Sequence, residues 1–140
     1  MKTEPKLPTV VFLCVHNAGR SQMALGWFTH LARGRAIAYS GGSEPAAEIN
    51  PTAIAAMAEI GIDITHEHPK AWDDETLRQA DVVITMGCGD TCPYVPGTRY
   101  EDWLLADPAG LPLEQVRPIR DQIARHVQRL LDDLDMPTAT

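Results

Sequence analysis

Three cysteines in 140 residues, odd in number and unevenly spaced, do not make the disulfide framework of a secreted domain. Positive charge is also short: 12 Lys and Arg against 19 Asp and Glu leave a net charge of −7, which argues against wrapping nucleic acid and confines any anion site to a local feature. No apolar run approaches the roughly 18 residues of a membrane-spanning helix, and the opening MKTEPKLPT has no apolar stretch like that of a signal peptide. A cytoplasmic protein is expected, with neither a membrane nor a nucleic-acid partner. Aromatic residues are few, and Trp27, Trp72 and Trp103 read as packing residues rather than a binding wall. What is present is ordinary globular composition, 44% hydrophobic and 22% charged, enough for one core in a chain expected to work as a monomer.

Apolar runs alternate with helical patterns. The spacing predicts an extension over residues 1–8, a single domain over 9–135 and a tail over 136–140. TVVFL at 9–13 reads as a strand buried on both faces, followed by a helix from Ser21 to Arg33. A strand is expected at Ala36 to Ser40. Asn50-Pro51 reads as a cap with proline at the first helical position, and Gly61 as that helix's end. A short helix from Asp73 to Gln79, a strand from Asp81 to Met86, a fourth strand around Trp103 to Leu105 and a long helix from Leu113 to Leu134 complete the pattern. The segment from Gly87 to Gly97 reads as a long loop at the carboxyl edge. This order implies an α/β fold, a small doubly wound four-stranded parallel sheet flanked by helices, with its ligand site beyond the carboxyl ends of the strands.

Cys14-Val15-His16-Asn17-Ala18-Gly19-Arg20-Ser21 lies between the first strand and the first helix. Five residues suffice to curl the backbone so that the N–H groups of Val15, His16, Asn17, Ala18, Gly19 and Arg20 surround an oxyanion, helped by the positive end of the helix. Arg20 supplies a planar fork suited to a tetrahedral anion. A thiol at the mouth of that cradle feels the same field, which favours its thiolate, and Ser21 is placed to donate a hydrogen bond to it. Asn17 is expected to brace the loop from within, and His16 to pack or face solvent.

On Cys-x5-Arg-Ser between strand and helix, and on the Asp107-Pro108 dipeptide, nearly the whole chain resembles the low-molecular-weight protein tyrosine phosphatases. Within that fold it is most similar to the arsenate reductases. The resemblance implies that Cys14 attacks the oxyanion, Arg20 binds its oxygens and Asp107 protonates the leaving group. The substrate it implies is arsenate, with phosphate or sulfate as mimics.

Both chemistries start with thiolate attack, but reducing As(V) to As(III) requires two further reducing equivalents from thiols. Cys88-Gly89-Asp90-Thr91-Cys92 can supply them, and the resemblance implies a relay: Cys88 attacks Cys14 and releases arsenite, Cys92 attacks Cys88, and thioredoxin reduces the resulting disulfide. A mycothiol/mycoredoxin or glutaredoxin-like route stands as the alternative. No tightly bound cofactor or metal is implied, only an external thiol reductant. A zinc site joining the pair to His66 and His68 lacks a second convincing ligand pair. The aspartate is followed by Ala109-Gly110 rather than the aromatic residues that help phosphatases of this fold hold a phosphotyrosine ring. Some related reductases bind potassium through an Asn, a Ser and two acids. Asn17 and Ser40 match, but Leu25 and Lys70 stand at the acidic positions, so the potassium site is expected to be absent; an ammonium from Lys70 reaching Asn17 and Ser40 in the metal's place and a surface lysine after Pro69 are the two readings. A tyrosine phosphatase and a redox- or arsenic-sensing interaction protein are the alternative functions.

Overall fold

The computed structural model describes residues 7–87 and 96–134. The expected relay pair, Cys88 and Cys92, lies outside the described residues. The run TVVFLC forms β1 (Thr9–Cys14), buried at every position because it is an inner strand. It pairs in parallel with β2 (Ile37–Gly42) on one side and β3 (Val82–Thr85) on the other, and β4 (Arg99–Asp102) adds to β3, giving the order β2-β1-β3-β4. The helices are α1 (Arg20–Ala32), α2 (Pro51–Ala58), α3 (Asp74–Gln79) and α4 (Leu113–Asp133).

Alternation along β1 divides the core. Val10, Phe12 and Cys14 join the larger cluster with α1, α2 and α4, while Val11 and Leu13 join the smaller one with Leu77 of α3. The stripe Val116, Ile119, Ile123, Val127 and Leu130 of α4 is buried in the larger cluster, as its helical spacing predicts. Asn50 caps α2 by accepting the Thr52 N–H at 2.9 Å, and Asp73 caps α3 by accepting that of Glu75 at 3.2 Å. The chain leaves β1 for β2 on one side and returns to β3 on the other, so a crevice opens between the carboxyl ends of β1 and β3. Among the described residues no helix is long and apolar enough to cross a membrane.

β1 and β3 match expectation to within one residue at each end, and the other two strands differ by more. The fourth strand is the polar RYED rather than Trp103 to Leu105, because register with β3 aligns Val82 with Arg99 through Thr85 with Asp102. An edge strand tolerates polar residues, and after it Trp103 turns into the core while Leu104 is 81% exposed. β2 continues through Gly41 and Gly42, where the Gly42 N–H donates to Lys70 O at 2.9 Å. A Cβ on Gly41 would lie 2.8 Å from the Trp72 backbone, so the missing side chain permits this close approach.

Glu59, at the end of α2, ties that helix to α4 through Arg117 and Arg120, each at 2.7 Å. Hydrogen bonds from Arg117 first and Arg120 second hold its carboxyl at about 2 rather than 4.5. A lowered carboxylate stabilises the fold above its unfolded value, and the contribution disappears as pH falls through the folded one. Glu59→Gln is therefore expected to be less stable than the parent at neutral pH, with the gap closing between about pH 4.5 and about pH 2, as measured by denaturant unfolding across that range.

Candidate active site

β1 ends at Cys14 and α1 starts at Arg20, so residues 15–19 must turn back over the strand end. Every carbonyl in that turn is held from outside it. Val15 O accepts the Glu44 N–H at 2.8 Å, His16 O that of Ala46 at 3.0 Å, Ala18 O that of Asn50 at 2.9 Å and Gly19 O that of Met23 at 2.9 Å. The remaining carbonyl, Asn17 O, accepts from Gln22 Nε2 at 3.1 Å. In a trans peptide the N–H points opposite the C=O, so anchoring these oxygens outward directs the N–H groups of residues 16 to 20 toward the inside of the curve. Asn17 makes the turn with φ +50°, the left-handed conformation that asparagine tolerates better than most residues.

Ser21 and Asn17 are fully buried around the sulfur. Cys14 Sγ lies 2.9 Å from Ser21 Oγ, and Asn17 Nδ2 donates to that same oxygen at 2.7 Å. Arg20 is buried, 8% exposed as a residue, with Nη1 reaching Leu105 O at 3.5 Å and Nη2 lying 3.7 Å from Asp107 Oδ2. Asp107 is half-exposed, and its Oδ1 accepts the Ala109 N–H at 3.0 Å. Cys14, His16, Arg20 and Asp107 line one cavity of about 310 Å³. Among the described residues its remaining walls are Asn50 and small or compact side chains, including Ala46, Pro51, Ala109 and Gly110, and none of the three tryptophans reaches it. His16 is exposed, with its Nδ1 3.0 Å from Glu44 O.

The expected loop support is present in altered form. The Lys70 ammonium donates to Ser40 Oγ at 3.2 Å, but Asn17 is held by the backbone N–H of Lys70, which donates to Oδ1 at 3.0 Å. The short link from Lys70 to β2 brings its main chain, rather than its ammonium, against the loop. Burial pushes the ammonium below its ordinary lysine value, partly offset by the charge of Glu67. Among the described residues no group of three His, Cys, Asp or Glu could hold a metal, and the His66 ring faces Glu67 at 3.2 Å.

Three residues that sequence reasoning did not assign to the site complete it. Asn50, read only as a cap, also donates from Nδ2 to Pro108 O at 3.4 Å, joining α2 to the segment carrying Asp107. Gly87 has φ +81° and stands so close to Arg20 that a Cβ would lie 2.5 Å from Nη1. Gln22 anchors the loop from within α1; its one signal was a polar residue on a helix face otherwise given to the core.

A family model described as low molecular weight phosphotyrosine protein phosphatase matches residues 9–139. Arsenate reductase 2 of Staphylococcus epidermidis is 40% identical over 124 residues, covering 86% of this chain and 93% of the relative. A Corynebacterium glutamicum thioredoxin-dependent arsenate reductase superposes with a TM-score of 0.82 at 40% identity over 92% of this chain, which spans 62% of that longer chain. A solved arsenate reductase in the phosphate binding state superposes with a TM-score of 0.80 at 37% identity, covering 91% of this chain and 98% of its own.

Proposed function

The chain belongs to the low molecular weight phosphotyrosine protein phosphatase family, and on that premise we propose that it is an arsenate reductase. The observation that carries the chemistry is the outward anchoring of the loop carbonyls, which leaves a ring of N–H donors beside the Cys14 sulfur and the Arg20 guanidinium. Such a ring stabilises a tetrahedral oxyanion and the charge that develops as the sulfur attacks it.

In this mechanism the Cys14 thiolate forms an S–As bond while an arsenate oxygen departs as water, with a proton supplied by Asp107. Arg20 holds the remaining oxygens. The Cys88 thiolate then attacks Cys14 Sγ; the electron pair of the S–As bond leaves with arsenic as arsenite, and a Cys14–Cys88 disulfide remains. Cys92 attacks Cys88, restoring the Cys14 thiolate and leaving Cys88–Cys92. Two thiols have lost two electrons and As(V) has gained them. We read the protein as a cytoplasmic monomer without a bound cofactor, using an external dithiol as reductant. The likeness to the thioredoxin-dependent Corynebacterium protein supports thioredoxin in that role over mycothiol with mycoredoxin.

The cavity walls favour this reading over a tyrosine phosphatase, because Ala46, Ala109 and Gly110 offer a phenyl ring little to stack against. Purified protein is expected to sustain arsenate-dependent NADPH oxidation with thioredoxin and its reductase, releasing arsenite. Turnover of p-nitrophenyl phosphate far above that rate would favour the phosphatase, and arsenite binding without turnover under any thiol supply would favour a sensor. Cys88→Ser and Cys92→Ser are both expected to lose multiple turnover, and mass spectrometry of the Cys92→Ser protein after arsenate should find Cys14 joined to Cys88. Full multiple-turnover activity in both variants would remove the relay.

A further inference from the structure

Gln22 is an amide with no exposed surface in the first turn of α1. Its Nε2 approaches three acceptors, Asn17 O and Asn17 Oδ1 at 3.1 Å each and His68 O at 3.3 Å. Two of these are main-chain carbonyls, which establishes which end of the amide is nitrogen. The other end, Oε1, is buried with no hydrogen-bond partner among the described residues. That orphaned oxygen carries a desolvation cost, so the useful contacts of the side chain are those of its nitrogen.

Those contacts determine where the Ser21 proton goes. Inside a helix a serine hydroxyl can turn back to the carbonyl four residues earlier; Ser21 is the second residue of α1, and the carbonyl at that spacing is Asn17 O, in the loop before the helix. Here Gln22 Nε2 occupies that carbonyl. On the side chain of Asn17, Oδ1 is taken by Gln22 Nε2 and by the Lys70 N–H, so Nδ2 faces the other way and donates to Ser21 Oγ. Ser21 Oγ thus already accepts one hydrogen bond, from a group that cannot take its proton, and Cys14 Sγ lies 2.9 Å away. We propose that Gln22 is a positioning residue for the Cys14 thiolate: by engaging both oxygens of Asn17 it directs the Ser21 hydroxyl proton to the sulfur. The inference rests on Cys14 being the reactive thiol of the proposed reductase, and it is tested on the thiol itself, without arsenate.

The test uses protein carrying Cys88→Ser and Cys92→Ser, so that iodoacetamide reports on Cys14 alone. Adding Gln22→Met, which keeps the volume and removes the donor, is expected to slow alkylation at pH 7 by about five- to tenfold and move the pH–rate profile toward alkali, with circular dichroism unchanged. Ser21→Ala should slow it similarly, and Gln22→Met added to Ser21→Ala should produce no further loss. Gln22→Glu should be slow at neutral pH and approach the parent's rate where its carboxyl is protonated and can donate to Asn17. A folded Gln22→Met protein reacting at the parent's rate overturns the proposal, as does an undiminished loss in the Ser21→Ala background. Failure of both Gln22 variants to fold also overturns it, since the residue would then support the fold rather than the thiol. The expected alkylation pattern in a protein that does not reduce arsenate would sustain this inference and discard the functional one.

Discussion

Arg20→Lys is expected to lower kcat/KM for arsenate by about two to three orders of magnitude, most of it in kcat, as removal of a transition-state anion donor does elsewhere. The reason is shape rather than charge. Arg20 is buried, its guanidinium spans from Leu105 O to Asp107 Oδ2, and it lines the cavity together with Cys14. A lysine ammonium is a single point of positive charge on a flexible stem and cannot both keep those anchors and offer paired N–H groups to two oxygens. Nearly all of the folded stability should survive. Steady-state rates together with thermal unfolding separate the two effects, and a lysine variant within a factor of about three of the parent would show that a positive charge suffices and the planar fork is not required.

Gly87→Ala is expected to cost about a hundredfold in kcat/KM, the scale associated with roughly 1 Å of misplacement at a reacting centre. Two effects act together. The residue has φ +81°, which strains any side chain by about 1–2 kcal/mol. The new Cβ would also stand 2.5 Å from Arg20 Nη1, so the guanidinium must move. Because Gly87 immediately precedes Cys88, a loss of rate could instead arise in the thiol relay, and a double-mutant cycle distinguishes the two routes. Placed on Arg20→Lys, Gly87→Ala should lose most of its effect if it acts by moving Arg20. An undiminished hundredfold loss in that background would assign the glycine to the relay.

Both predictions concern groups separated by more than sixty residues in the chain, which marks where sequence reasoning succeeded and where it stopped. Local patterns were legible. The β-branched run of β1 has no polar alternation because both its faces are covered, and Asn50-Pro51 and the acidic start of α3 are local devices readable without neighbours. Cys14, Arg20 and Ser21 share one turn and one helix start, so their spacing alone brought them to one site. β4 was placed wrongly because its polar sequence becomes a strand only through its register with β3. The Lys70 ammonium meets Ser40 as expected, but Asn17 is met by the Lys70 N–H instead, since which of the two reaches it depends on how closely the chain approaches β2.

What the amino-acid order by itself determined is the alternation of buried strands and amphipathic helices, the placing of Cys14, its loop, Arg20 and Ser21 between a strand and a helix, and the presence of two further cysteines, Cys88 and Cys92. These depend on contacts between near neighbours, whose geometry follows from backbone periodicity. Only the tertiary structure decided that the carbonyls of Val15, His16 and Ala18 are held outward by Glu44, Ala46 and Asn50, that Gly87 makes room for Arg20, and that His68 O and the Lys70 N–H meet Gln22 and Asn17. Those are approaches between segments far apart in the chain, set by how the sheet stacks and where its edges open, and no local propensity encodes them.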